Sequence, residues 1–194
     1  VPPFAFTITV KTAIITATGK VLGWEFMEVP LLVLPNGGAE QDPRDWWNAF
    51  LLTSRKLIGK GLTAVENIVA VCCSTQGEGT VPVDRDGNAL TNCILWMDMR
   101  GAENLKKITA GFPMVSGYDA AKLARWINIT GGAPSLTGKD PSAHMLYIRD
   151  EMPDIYNLTY KFLNVLDYMN LCLTGRIVAT PDSILTSWVT DNRD

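Results

Sequence analysis

Ile68 to Cys73 is an uninterrupted apolar run of β-branched residues, alanine and cysteine, and it constrains the chain more than any other stretch. Such a run predicts a strand covered on both faces, as in sheets flanked by helices. It stops at Ser74-Thr75-Gln76-Gly77-Glu78-Gly79, which sets hydroxyls, an amide and a carboxylate at the strand's carboxyl end. Glycines there let backbone approach a ligand, and the carboxyl ends of strands are where open α/β sheets bind them. After this small-residue turn another strand leads to a tight turn at Asp86-Gly87-Asn88, and Ile94-Leu95-Trp96 reads as a returning strand placed beside the first.

The segments around this stretch supply the rest of an α/β domain. Thr7–Thr16 and Val21–Leu34 are rich in β-branched residues and flank Thr18-Gly19-Lys20, which predicts a hairpin. Asp42 and Pro43 fit the N-cap and first turn of a helix whose apolar face carries Trp46, Trp47, Phe50, Leu51, Leu57 and Ile58. That helix followed by the Ile68–Cys73 strand predicts a βαβ crossover. A further helix follows Tyr118, with Leu123, Trp126 and Ile127 toward the core. Another starts near Asp140-Pro141 and stops before Pro153. Lys161 onward reads as a short strand feeding a helix that ends at Thr174-Gly175, with Asp167 as its N-cap.

Several chemistries find little support in the residues. A net charge of −3 gives no electrostatic footprint for nucleic acid or an anionic membrane. The four cysteines, Cys72, Cys73, Cys93 and Cys172, lack a CxxC spacing and read as buried free thiols. His144 is the sole histidine and reads as an ordinary helix residue, so no metal ligand set is expected. Gly131 to Asp140 imitates a phosphate loop, but Ala133 and Asp140 stand where that motif needs glycine and a hydroxyl, so a surface loop is expected. A cytoplasmic location is expected, since neither a long apolar span nor a basic leader is present.

The segments EQDPRDWW, TQGEG, ILWMDMRG and GYDAAKLARWI, in that order, resemble the amino-terminal domain of the FGGY carbohydrate kinases. This group includes xylulokinase, gluconate kinase and glycerol kinase. The resemblance implies a ribonuclease-H-like domain of the actin and sugar kinase superfamily, a mixed sheet with flanking helices. It implies transfer of phosphate from ATP, with Mg²⁺, to a hydroxyl of a ketose or polyol, with a xylulose-like sugar first. On this view residues 1–194 are an incomplete sugar-binding domain. The nucleotide-binding domain and the general base lie beyond Asp194, so this chain alone is expected to be inactive and to bind ATP and Mg²⁺ poorly.

The same resemblance assigns substrate contacts to Gln76, Glu78, Trp96, Asp98 and Tyr118. An amide can donate to one sugar hydroxyl and accept from another, and Glu78 can accept from hydroxyls. Trp96 and Asp98 alternate along their strand, so an indole face and a carboxylate share one side. Asp98 and Arg100 equally suit a structural ion pair. Gly77 departs from the arginine or methionine of the family, which leaves the sugar open.

In the family, the opening hairpin carries an aspartate and glycine that hold metal and phosphate. Here those positions fall on Phe4 and Phe6, and only Thr7 and Lys11 match as cofactor-binding residues; a phenylalanine cannot ligate Mg²⁺. A non-catalytic sugar-binding or regulatory member, or an interaction protein that self-associates through an apolar face, are the alternatives.

Overall fold

The computed structural model describes residues 5–193. The hairpin forms as expected: β1 (Ala5–Ile15) pairs antiparallel with β2 (Val21–Val33), turning at Gly19 with φ +85°. β2 passes to β3 (Ala39–Gln41), and α1 (Pro43–Gly59) follows. The Asp42 carboxylate caps α1 by accepting the Arg44 N–H at 2.9 Å, with Pro43 in the first turn. Trp46, Ala49, Thr53 and Leu57 form its buried stripe, packed across the hairpin. Ile58 lies off this stripe and is exposed, contrary to its expected place in the core.

β4 (Val81–Val83), β5 (Cys93–Ile94) and α2 (Ala102–Thr109) come next, then the short pair β6 (Met114–Val115) and β7 (Tyr118–Asp119). They lead to α3 (Ala120–Thr130), α4 (Pro141–Glu151), α5 (Pro153–Leu158), β8 (Lys161–Leu163), α6 (Val165–Thr174) and α7 (Pro181–Ile184). One sheet has the order β1-β2-β3-β5, and β4 pairs with β8 beside it. The core joins Val29, Leu31, Trp46, Val81, Val83, Leu95, Leu163 and Met169. Among the described residues no helix is long and apolar enough to cross a membrane.

The apolar run that most shaped the sequence reading does not become a strand. Ile68 to Gln76 is irregular, Val69 is 93% exposed, and the described ladders are antiparallel, so the parallel partner expected of a mixed sheet is missing among them. The outer edge of β1 is left unpaired across a cleft of about 960 Å³, with Ile68–Gln76 on its far wall. Apolar character made this segment a strand candidate, but without a neighbouring edge its backbone has no ladder. Cys72, expected to be buried, is exposed with it.

Ile94 pairs with Glu40 and also bridges to Thr80, so the returning strand lies against β3 and the Thr80 backbone rather than beside Ile68–Cys73. The Asp84 carboxylate organises the expected turn by accepting the N–H groups of Asp86 and Asn88.

Three other local expectations change. α3 is capped by Asp119 and buries Thr130, while Ile127 faces outward. α6 is capped by Asn164, because Asp167 points inward and is 1% exposed, with Ser183 Oγ 3.1 Å from its Oδ2. Asp140 begins α4 but does not cap it: its carboxylate turns back to accept from Ser135 N and Trp188 Nε1. The closing segment forms α7 and a 3₁₀ turn at Leu185–Ser187.

Candidate functional site

The polar loop after Cys73 is held at its downstream end by close packing. A Cβ on Gly79 would stand 2.4 Å from Val165 Cγ2 and 2.9 Å from Cys93 Sγ, so only glycine admits this approach of α6 to the loop. One residue earlier, Glu78 occupies the left-handed region at φ +59°, a conformation that costs a side-chain-bearing residue about 1–3 kcal/mol. One residue later, Thr80 exchanges both backbone hydrogen bonds with Ile94. The chain is therefore pinned immediately after a strained carboxylate.

Glu78, Gln76 and Trp96 line one cavity of about 680 Å³, closed on its other side by Asn164, Asp182, Ser183 and Thr186. The Trp96 indole is 45% exposed, so its face is available to this space. Burial, then the negative charge of Asp140, raises the Glu78 pKa, while a hydrogen bond from Thr186 opposes the rise. Asn164 and the Asp182–Thr186 wall were not singled out from sequence. Thr180-Pro181-Asp182-Ser183 does carry a capping-box pattern, which the structure realises between Thr180 and Ser183, and that was a legible helix start.

The other assigned contacts lie elsewhere. Asp98 is fully buried, with its carboxylate accepting from Ala39 N, Arg100 N and the Arg100 guanidinium at 2.7–3.2 Å. Arg100 also reaches Glu40 Oε1 at 2.6 Å and stacks 4.8 Å from the Tyr147 ring centre. Burial opposes the Arg100 charge, but the bonds to Asp98 and Glu40 outweigh it and raise its pKa. This is a fully paired structural cluster tying β3 to the turn after Trp96. Tyr118 is also buried, and its hydroxyl donates to the Pro134 carbonyl.

His144, expected to be a plain helix residue, is the hinge pin between the two site segments. It is fully buried, with Nδ1 3.1 Å from Thr80 Oγ1 and Nε2 3.4 Å from the Asp98 carbonyl. A carbonyl only accepts, so Nε2 carries the proton and Nδ1 accepts from Thr80. Burial holds its pKa down at about 4, so the ring is neutral near pH 7. It thereby connects the residue two after Glu78 to the residue two after Trp96.

The model of the FGGY family of carbohydrate kinases, N-terminal domain, matches residues 7–191. The chain belongs to the FGGY family. Xylulose kinase of Bacillus subtilis is 27% identical over 88% of this chain and 32% of its own length. Glycerol kinase of Thermococcus gammatolerans is 25% identical over 87% of this chain and 35% of its own length. Among solved structures, a xyloylose kinase from Brucella ovis superposes with a TM-score of 0.81 at 22% identity, covering 94% of this chain and 35% of that one. A xylulose kinase from Rhodospirillum rubrum gives 0.78 at 19% identity, over 95% of this chain and 36% of its own. The FGGY chain described here thus has the sugar kinase fold, and it spans about a third of the length of these relatives.

Members of the family are carbohydrate kinases, which implies ATP and Mg²⁺. Phe4, which falls where the family's aspartate stands, lies outside the described residues. Thr7 pairs with Pro30 in the hairpin. Lys11 is exposed, with Nζ 5.1 Å above the Trp24 ring centre. Among the described residues no three Asp, Glu, His or Cys side chains gather to hold a metal ion.

Proposed function

We propose that this FGGY chain is the sugar-binding part of an ATP-dependent kinase that phosphorylates a hydroxyl of a ketose or polyol, a xylulose-like sugar first. The observation that supports this most directly is the convergence of Gln76, Glu78 and Trp96, from two separated segments, on one cavity. The indole offers an apolar face to sugar C–H groups, and the Glu78 carboxylate accepts from hydroxyls that replace its water. Ser183, Asn164 and Thr186 add further hydroxyl and amide groups on the facing wall. In this reading Asp98 and Tyr118 act through position, holding the loops around the cavity.

A nucleotide would approach from the cleft side. Lys11 lines the large cleft together with Gln76, which also lines the sugar cavity, so the two spaces meet at the Cys73–Gln76 wall. The rest of the kinase machinery is assigned to sequence outside residues 1–194, by resemblance to relatives three times as long.

Titration of the chain with D-xylulose, followed by Trp fluorescence or calorimetry, tests the sugar site. Glu78→Ala and Trp96→Ala are each expected to abolish binding while circular dichroism stays unchanged. Unchanged affinity in both variants, with folding intact, would remove the assignment. A coupled ADP-release assay on the natural gene product over pentuloses and glycerol tests the activity.

A further inference from the structure

We infer that Asp167 is held as a neutral carboxylic acid whose proton ties α6 to α7, which makes it the positioning residue for the cavity wall of Asp182, Ser183 and Thr186. The basis is the number of hydrogens available around Ser183 and the sign of the charges beside Asp167.

The start of α6 meets a single residue of α7 twice. Asn164 Nδ2 donates to the Ser183 carbonyl at 2.5 Å, and Ser183 Oγ lies 3.1 Å from Asp167 Oδ2. Ser183 Oγ also accepts the Thr180 N–H at 3.1 Å and stands 2.9 Å from the Thr180 carbonyl. A serine hydroxyl has one hydrogen and two lone pairs. With Asp167 ionised, that one hydrogen is shared between two acceptors, the Asp167 carboxylate and the Thr180 carbonyl, and one lone pair stays empty. With a proton on Asp167 Oδ2, the acid donates to Ser183 Oγ, which passes its own hydrogen to the Thr180 carbonyl. Each contact of the hydroxyl then carries one hydrogen, and both of its lone pairs are used.

The charges favour the same state. Asp167 is 1% exposed and its Oδ1 is sealed from solvent with no donor, so ionisation would strand negative charge on an unpaired oxygen. Among the described residues no lysine, arginine or histidine forms an ion pair with Asp167. Asp182, beside Ser183 on α7, and Glu78, across the cavity, are both acids. On α1, Asp42 and Arg44 bond to each other and act on Tyr168, while Lys161 of β8 is exposed and lies over the Tyr160 ring. Burial raises the Asp167 pKa; the bonds that its ionised form accepts from Ser183 and from the Asn164 N–H oppose the rise, and the charge of Asp182 adds to it. Loss of the proton therefore sets two carboxylates against each other across the contact that holds α7. The Thr186 bond to Glu78 loosens with that wall.

Carbon-13 NMR of the aspartate carboxyls in the 194-residue chain, followed against pH, tests the protonation state without any ligand. Asp167 is expected to titrate above the ordinary aspartate value of about 3.9, and titration at or below that value overturns the inference. Hydrogen exchange reads the wall through the amides of Ser183, Ile184 and Trp188, which are bonded within this segment. Their protection is expected to fall about five- to tenfold as Asp167 ionises, the scale of one hydrogen bond. Asp167→Asn keeps a neutral donor to Ser183 and is expected to hold that protection at every pH, whereas Asp167→Ala is expected to lose it at every pH. Protection in the unaltered chain that ignores the carboxyl titration overturns the inference. So does an Asp167→Asn variant, folded by circular dichroism, whose wall exchanges as fast as that of the ionised chain; this arm stands even where Asp167→Ala does not fold. On the sugar-site reading, D-xylulose affinity is expected to fall over the same pH range. A wall that follows the carboxyl in a chain that binds D-xylulose at no pH overturns the sugar-site reading alone.

Discussion

Two apolar runs of similar composition, Ile68–Cys73 and Cys93–Leu95, meet opposite fates. Cys93 and Ile94 are paired to Gln41 and Glu40 on one side, Ile94 is bonded to Thr80 on the other, and Leu95 is fully buried. Ile68–Cys73 has no ladder, and its valines face the open cleft. Cys93–Leu95 is held at both edges because Gly79 lets α6 close over it and the Asp98–Arg100–Glu40 cluster ties its exit to β3. Hydrophobicity nominated both segments, and available edges and charges chose between them.

The sharpest way to break this contrast is to cut the cluster on the paired side. Arg100→Ala leaves Asp98 and Glu40 buried or half-buried without their partner, and a loss of about 3–5 kcal/mol is expected in urea unfolding. Leu95→Ala removes a fully buried side chain and is expected to lose about 2–5 kcal/mol by the same measurement.

Acid tests the same side through His144. Its folded pKa of about 4 lies below the ordinary 6.5, so the unfolded chain binds the extra proton first. Stability is therefore expected to be complete above about pH 6.5 and to fall as the pH drops toward 4, by roughly 3 kcal/mol for this group. His144→Gln should flatten that part of the melting-temperature profile; an unchanged profile would show that the ring is not buried as described. On the open side the effect should be small: Val71→Ser, at a residue 58% exposed, is expected to stay within about 0.5 kcal/mol. A loss of several kcal/mol there would mean that Ile68–Cys73 is packed as a strand in solution.

The hairpin, α1 with its Asp42 cap, the turn before Ala89, and the helix end at Gly175 were legible because each rests on local chemistry: β-branched alternation, a capping carboxylate, a left-handed glycine. Membership in the FGGY family was legible too, from EQDPRDWW, TQGEG, ILWMDMRG and GYDAAKLARWI standing in that order. The loop bearing Gln76 and Glu78 was marked by its polar residues after an apolar run.

Tertiary structure alone decided the rest, because it depends on groups far apart in the chain. Asp98 and Arg100 became a buried pair only because Glu40 and Ala39 N–H arrive beside them. His144 became a clamp because α4 brings it between Thr80 and the Asp98 carbonyl. Asp182, Ser183 and Thr186 became the far wall of a cavity opened by Glu78 and Trp96. Local sequence determines which backbone a segment prefers; which buried donor meets which acceptor is settled only when distant segments pack, since each such group must find a partner once water is gone.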